Sequence, residues 1–154
     1  MVTKRLIVGN IDDANHLPPQ VGALLLVAEE QEVAAPPQVV YSKIAFKEFG
    51  EPHPSLVAQS VDWIEAHIAT HRIMVCCRAG MGRSVSVVIA YLCCVEGLSY
   101  EDAVKLVLTR RPGGVPLPKL SEAIEQVRSA RLVRSGSSPG RNGTTKKTSA
   151  PQPP

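Results

Sequence analysis

Residues 73–95 constrain this chain more than any other stretch. Ile73-Met74-Val75-Cys76 is a short apolar run, and Ser84 to Val95 is apolar almost all round. The first pattern reads as a buried central strand and the second as a buried helix, stopped by Gly97. Only the segment from Cys77 to Arg83 joins them. A strand and a helix that both need cover on every side belong in a layered α/β domain.

The rest of the chain alternates in the same way. Arg5 to Val8 reads as a strand stopped by Gly9-Asn10, and Asp12 or Asp13 as the cap of a short helix that Pro18-Pro19 ends. Gly22 to Ala28 reads as a buried strand, and Val39 to Ile44, after Pro36-Pro37, as another. Leu56, Val57, Val61, Ile64 and Ile68 recur at helical spacing, so 55–70 is expected to be a helix with Ser55 as N-cap. Ser99-Tyr100-Glu101-Asp102 has the capping-box form and opens a helix to about Arg110. Leu120, Ile124 and Val127 mark a last helix, to about Val133. The expectation is one α/β domain over 1–134, with a central, mostly parallel sheet flanked by helices. The composition then collapses to Ser, Gly, Thr, Pro and Lys, which predicts a disordered tail over 135–154.

Composition narrows the class. Hydrophobic residues make up 44% of the 154 and charged residues 20%, the balance of a soluble globular domain. The formal charge of +3 sits in the tail, at Arg141, Lys146 and Lys147, so the body is neutral. That argues against a nucleic-acid partner. The four cysteines form two adjacent pairs, Cys76-Cys77 and Cys93-Cys94, unlike the spread spacing of a disulfide scaffold. The first apolar run is too short for a leader or a membrane span, so a reducing, cytoplasmic setting is expected, with no membrane partner.

The joining segment carries the chemistry. A loop between a strand and a helix N-terminus turns several backbone N–H groups toward one point, where the helix dipole adds positive potential. Gly80 and Gly82 allow backbone angles and close approaches that a Cβ would forbid. Arg83 offers a planar fork for two phosphate oxygens, and the same positive field favours a thiolate at Cys77. Ser84 can donate a hydrogen bond to that thiolate when it leaves. The residues therefore suggest phosphate-monoester chemistry through a cysteine.

Cys77-Arg78-Ala79-Gly80-Met81-Gly82-Arg83-Ser84 resembles the phosphate loop of the cysteine-dependent protein phosphatases, in the dual-specificity branch. Leu6 to Asn15 resembles that branch's opening strand and turn, and Gly97 to Pro112 the helices that follow its loop. The resemblance implies that family's α/β fold, a shallow pocket and hydrolysis in two steps through phosphocysteine, with no metal or other cofactor. Cys77 would be the nucleophile. Arg78, Ala79, Gly80, Met81, Gly82 and Arg83 would hold the phosphate, and the substrate would be a phosphorylated protein or peptide.

The chain departs from the family's pattern in three places. Cys76 stands where the family usually has histidine, and its spacing to Arg83 is one residue too long for a nucleophile. No aspartate lies between Asp13 and Asp62 to serve as the general acid. Glu48 takes that role by position, with Glu51 near it and His53 a weaker donor. The family often has an asparagine a few residues after this Arg-Pro pair, and Arg111 to Pro118 offers none. Two rival readings stay open: a pseudophosphatase that binds phosphorylated partners without turnover, or a phosphatase for RNA ends, phosphoinositides or sugars. Among the remaining residues, Trp63, Tyr91, Cys93 and Cys94 read as core, and His67 with His71 as solvated surface. Arg110 and Arg111 read as charges that suit a helix C-terminus.

Overall fold

The computed structural model describes residues 1–135. Four strands, β1 (Leu6–Gly9), β2 (Ala23–Leu26), β3 (Val40–Lys43) and β4 (Ile73–Cys76), form one sheet in the order β1-β4-β2-β3. Every pairing is parallel, with Cys76 level with Gly9 on one side and with Leu26 on the other. The two inner strands, β2 and β4, are fully buried and read as unbroken apolar runs, as parallel strands covered on both faces do. The outer strand β3 is half-buried and mixes polar with apolar residues.

Five helices complete the fold: α1 (Ile11–Asn15), α2 (Pro54–Ile68), α3 (Arg83–Cys94), α4 (Tyr100–Arg110) and α5 (Leu120–Arg134). Helix α3 is the hub. It packs on α2, α4, α5, β1 and β4, and every residue from Arg83 to Cys93 is buried. The core joins Leu24, Leu25 and Leu26 of β2 and Ile73 of β4 to Ile64, Ile89, Leu92 and Ile124 of the helices. The expected α/β class and the parallel sheet are therefore found.

Several boundaries move for local reasons. Asn10, not Asp12 or Asp13, caps α1; Asp13 is its reciprocal partner, with bonds of 2.8 and 2.9 Å closing a capping box. His53, not Ser55, caps α2, because Pro54 takes the first helical position and the His53 ring accepts from the Ser55 amide at 3.1 Å. Ser99 caps α4 as expected. Gly97, at φ +79°, follows the end of α3 in the left-handed region. Trp63 is only partly buried and stacks on His67 at 4.4 Å, whereas Tyr91, Cys93 and most of the expected core are buried. The tail expected over 135–154 lies, apart from Ser135, outside the described residues.

Because all strands run the same way, their carboxyl ends open on one edge. In such sheets that edge is where ligands sit. Gly9, the chain beyond Leu26, the chain beyond Lys43, and Cys77 all arrive there.

Candidate active site

The loop from Cys77 to Gly82 is built by tying its carbonyls outward. The Arg78 carbonyl accepts from the Ile11 amide at 3.2 Å, and the Ala79 carbonyl from Arg111 Nη2 at 3.4 Å. The Gly80 carbonyl accepts from Arg111 Nε at 2.9 Å, and the Met81 carbonyl from the Val115 amide at 2.7 Å. The Gly82 carbonyl accepts the Ser86 amide at 2.9 Å, inside the first turn of α3. In a planar trans peptide the N–H points opposite to the C=O. Five successive carbonyls held outward therefore leave the amides facing the opposite side, where Cys77 lies. Gly80 adopts φ +71°, and a Cβ there would sit 2.8 Å from the Gly9 carbonyl oxygen. Only glycine fits that position.

Cys77 is buried at the base of the loop, with its Sγ 3.2 Å from Ser84 Oγ. Burial pushes its thiol up. The Ser84 hydroxyl, the Ser84 and Gly80 amides and the Arg83 charge together outweigh that push, and the net shift is downward. The neighbouring Cys76 has the opposite fate. Burial, then the negative charges of Cys77 and Asp13, push it up to about 12. Two adjacent thiols thus differ because one ends a strand inside the sheet and the other begins an anion-binding loop.

Arg83 is only 4% exposed, and one side of its guanidinium is partnered. Its Nη1 and Nη2 donate to the two Glu30 oxygens at 2.7 and 2.8 Å, and Nη1 also donates to the Phe46 carbonyl at 3.1 Å. Among the described residues, nothing occupies the other edge of the fork, formed by Nε and the second Nη2 hydrogen. That edge is itself bidentate and suits two phosphate oxygens. Glu30 was not singled out from the sequence. The available signal was its place just beyond a buried strand, at the carboxyl edge of the sheet. The hydrogen bonds from Arg83 hold its carboxyl down at about 2, against the desolvation that would raise it.

Glu48 lies on the rim, paired with Arg78. The sequence named Arg78 as a residue of the loop and Glu48 as the candidate acid, and the structure pairs the two. Asp62 is elsewhere, bound to Arg131 at 2.8 Å and Arg134 at 3.3 Å. Glu51 pairs with Lys119 at 3.6 Å, and the His53 ring is occupied as the α2 cap. The chain beyond Arg111 is pinned beside the loop, because the Leu117 amide donates to Ser86 Oγ at 2.9 Å. Among the described residues no three His, Cys, Asp or Glu side chains converge as a metal-binding group, and no helix is long and apolar enough to cross a membrane.

Strand, tied loop and buried helix together have the form of an anion-binding site with a cysteine at its base. Residues 55–129 match the family model of the dual specificity phosphatase catalytic domain. Human dual specificity protein phosphatase 8 is 33% identical over 97 residues, which are 62% of this chain and 15% of that protein. The chain thus spans a small part of the curated relatives it matches. The crystal structure of human DUSP28 superimposes with a TM-score of 0.76 at 22% identity, covering 86% of this chain and 97% of that one. The human tyrosine phosphatase-like serine/threonine/tyrosine-interacting protein gives a TM-score of 0.74 at 18% identity, covering 86% and 96%. Over residues 55–129 the chain is thus similar to the dual specificity phosphatase catalytic domain, and its fold is the one seen in the solved structures of that kind.

Proposed function

We propose that the protein hydrolyses phosphate monoesters through a phosphocysteine intermediate, with phosphotyrosine of proteins or peptides as the favoured substrate. The observation that carries this reading is the low-pKa Cys77 beneath a loop whose carbonyls are all turned outward.

The dianion is drawn into the loop amides and the free edge of the Arg83 fork. The Cys77 thiolate attacks phosphorus; the S–P bond forms as the P–O bond to the leaving group breaks. The leaving oxygen takes a proton from Glu48 or, where it is a stable phenolate, leaves without one. Water then attacks phosphorus, the S–P bond breaks, and the thiolate departs onto the Ser84 hydroxyl. The loop amides and Arg83 carry the charge that gathers on the equatorial oxygens in both steps.

The leaving group separates the substrates. Glu48 must part from Arg78 and carry a proton before it can serve as general acid. General-acid help is worth about 10²–10⁴-fold. An aryl phosphate tolerates a weak acid and an alkyl phosphate does not, so phosphotyrosine is favoured over phosphoserine.

The test is hydrolysis of p-nitrophenyl phosphate across pH 5–8 by the wild type beside Cys77→Ser. The expected result is turnover by the wild type without added metal, with loss of at least about 10³-fold in the variant, as for removal of a nucleophile. A folded wild type that binds orthovanadate without turning over would instead support the pseudophosphatase reading. Comparable rates on phosphoserine and phosphotyrosine peptides would overturn the substrate preference.

A further inference from the structure

Arg111 closes α4, where its charge would be expected to answer the helix dipole. Its side chain does something more specific. Nε donates to the Gly80 carbonyl at 2.9 Å and Nη2 to the Ala79 carbonyl at 3.4 Å. These are consecutive peptide units of the phosphate loop. One carries the Gly80 N–H and the other the Met81 N–H. Because N–H and C=O are antiparallel across a trans peptide, whatever holds a carbonyl outward also aims the following amide inward.

We propose that Arg111 is a positioning residue of the phosphate loop: its fork holds the Ala79 and Gly80 carbonyls outward and so aims the Gly80 amide at the Cys77 thiolate and the Met81 amide at the phosphate. The proposal rests on the reading of Cys77 as the nucleophile of a phosphate-monoester hydrolase.

Three further observations support it. The Gly80 amide is one of the groups that stabilises the Cys77 thiolate. Gly80, Gly9 and Arg111 are packed without slack, since a Cβ on Gly80 would run into both the Arg111 guanidinium and the Gly9 carbonyl. The adjoining Val115 amide holds the next carbonyl, that of Met81, at 2.7 Å, so one short segment after α4 supports three successive loop peptides. A lysine at 111 would keep the charge but offer a single nitrogen, and one nitrogen cannot span two carbonyls as the fork does. Arg110, the preceding residue, is exposed and serves as the control.

The other charged or titratable groups around Cys77 are Arg83 from α3, Glu30 behind it, the Arg78–Glu48 pair on the rim, and Cys76 with Asp13 beside it. Among the described residues none of them is a hydrogen-bond partner of the Arg111 side chain, which bonds to the Ala79 and Gly80 carbonyls.

The experiment compares wild type, Arg111→Met, Arg111→Lys and Arg110→Met. Alkylation of Cys77 by iodoacetamide is followed by peptide mass spectrometry against pH, beside kcat/KM on p-nitrophenyl phosphate and thermal melts. Arg111→Met is expected to melt cooperatively, to shift the Cys77 alkylation profile to higher pH, and to lose about 10²-fold in kcat/KM, the scale of one lost oxyanion donor. Arg111→Lys is expected to follow Arg111→Met and Arg110→Met to follow the wild type. An unshifted profile in Arg111→Met, or full recovery by Arg111→Lys, would overturn the proposal. A wild type without turnover whose alkylation profile still answers to residue 111 would leave the positioning role standing and remove the hydrolase reading. Should Arg111→Met fail to fold, the Arg111→Lys profile alone decides the matter.

Discussion

The phosphate loop and the rim segment 45–52 face each other across the site and are held in opposite ways. In the loop, each carbonyl from Arg78 to Gly82 has a donor from α1, α3 or the chain after α4. The rim is held more loosely: Phe46 is buried with its carbonyl on Arg83, while Phe49 is 83% exposed and Glu48 is paired with the exposed Arg78. The difference teaches where precision is needed. Charge develops on phosphoryl oxygens at fixed positions, and donors that are already in place cost no reorganisation there. The leaving group varies with the substrate, and an exposed rim can accept that variety.

The strongest way to break the contrast is to loosen the loop. Gly80→Ala forces a Cβ into a left-handed residue, which costs about 1–2 kcal/mol of backbone energy alone. It also drives that Cβ against the Gly9 carbonyl and Arg111. The expected outcome is loss of at least about 10²-fold in kcat/KM, comparable to a lost oxyanion donor, with a lowered melting temperature; activity assays and melts check both.

Glu30→Gln tests the support one layer further out. Without the carboxylate the Arg83 fork keeps only the Phe46 carbonyl as a strong partner, and a loss of about tenfold to 10²-fold is expected, less than for the loop itself. The pH dependence has a fixed sign. Glu30 is held near 2 in the folded chain against an ordinary 4.5, so its contribution is complete above about 4.5 and is lost as pH falls toward 2. Urea midpoints measured from pH 6 to pH 2.5 should therefore fall more steeply for the wild type than for Glu30→Gln. Parallel curves would show that the pair does not contribute in solution.

Glu48→Gln should have the smallest effect on an aryl phosphate, below about tenfold, because the leaving group needs little help. The same change should cost more on an alkyl phosphate. Equal losses on p-nitrophenyl phosphate and a phosphoserine peptide would reduce Glu48 to a partner of Arg78 and sharpen the contrast between a working loop and a passive rim.

What could be read from the sequence follows the reach of each interaction. The strand, loop and buried helix from Ile73 to Cys94 are contiguous, and their patterns are local. Ser99 caps α4 through a bond to the amide three residues on, again local. Glu30 sits 53 positions from Arg83, and Arg111 lies 31 and 32 from the carbonyls it holds. No periodicity or spacing rule links residues so far apart in one sequence. Asn10 was visible only as a strand stop, because its role as cap depends on where α1 begins. The match of Glu48 to Arg78 was half legible: each was singled out, and only the folded chain shows that they meet.

The parallel sheet has a last consequence. Gly9, Glu30, Phe46, Cys77 and Arg111 come from five separated stretches of chain, and the cradle exists only once all of them are docked. An anion that binds there selects the completed molecule over every partly folded one. At a hundred times its dissociation constant such a ligand adds about 2.7 kcal/mol to the global unfolding free energy. A millimetre-sized crystal is not required to see the site assembled; a melting curve that climbs with added orthovanadate reports the docking of all five stretches at once.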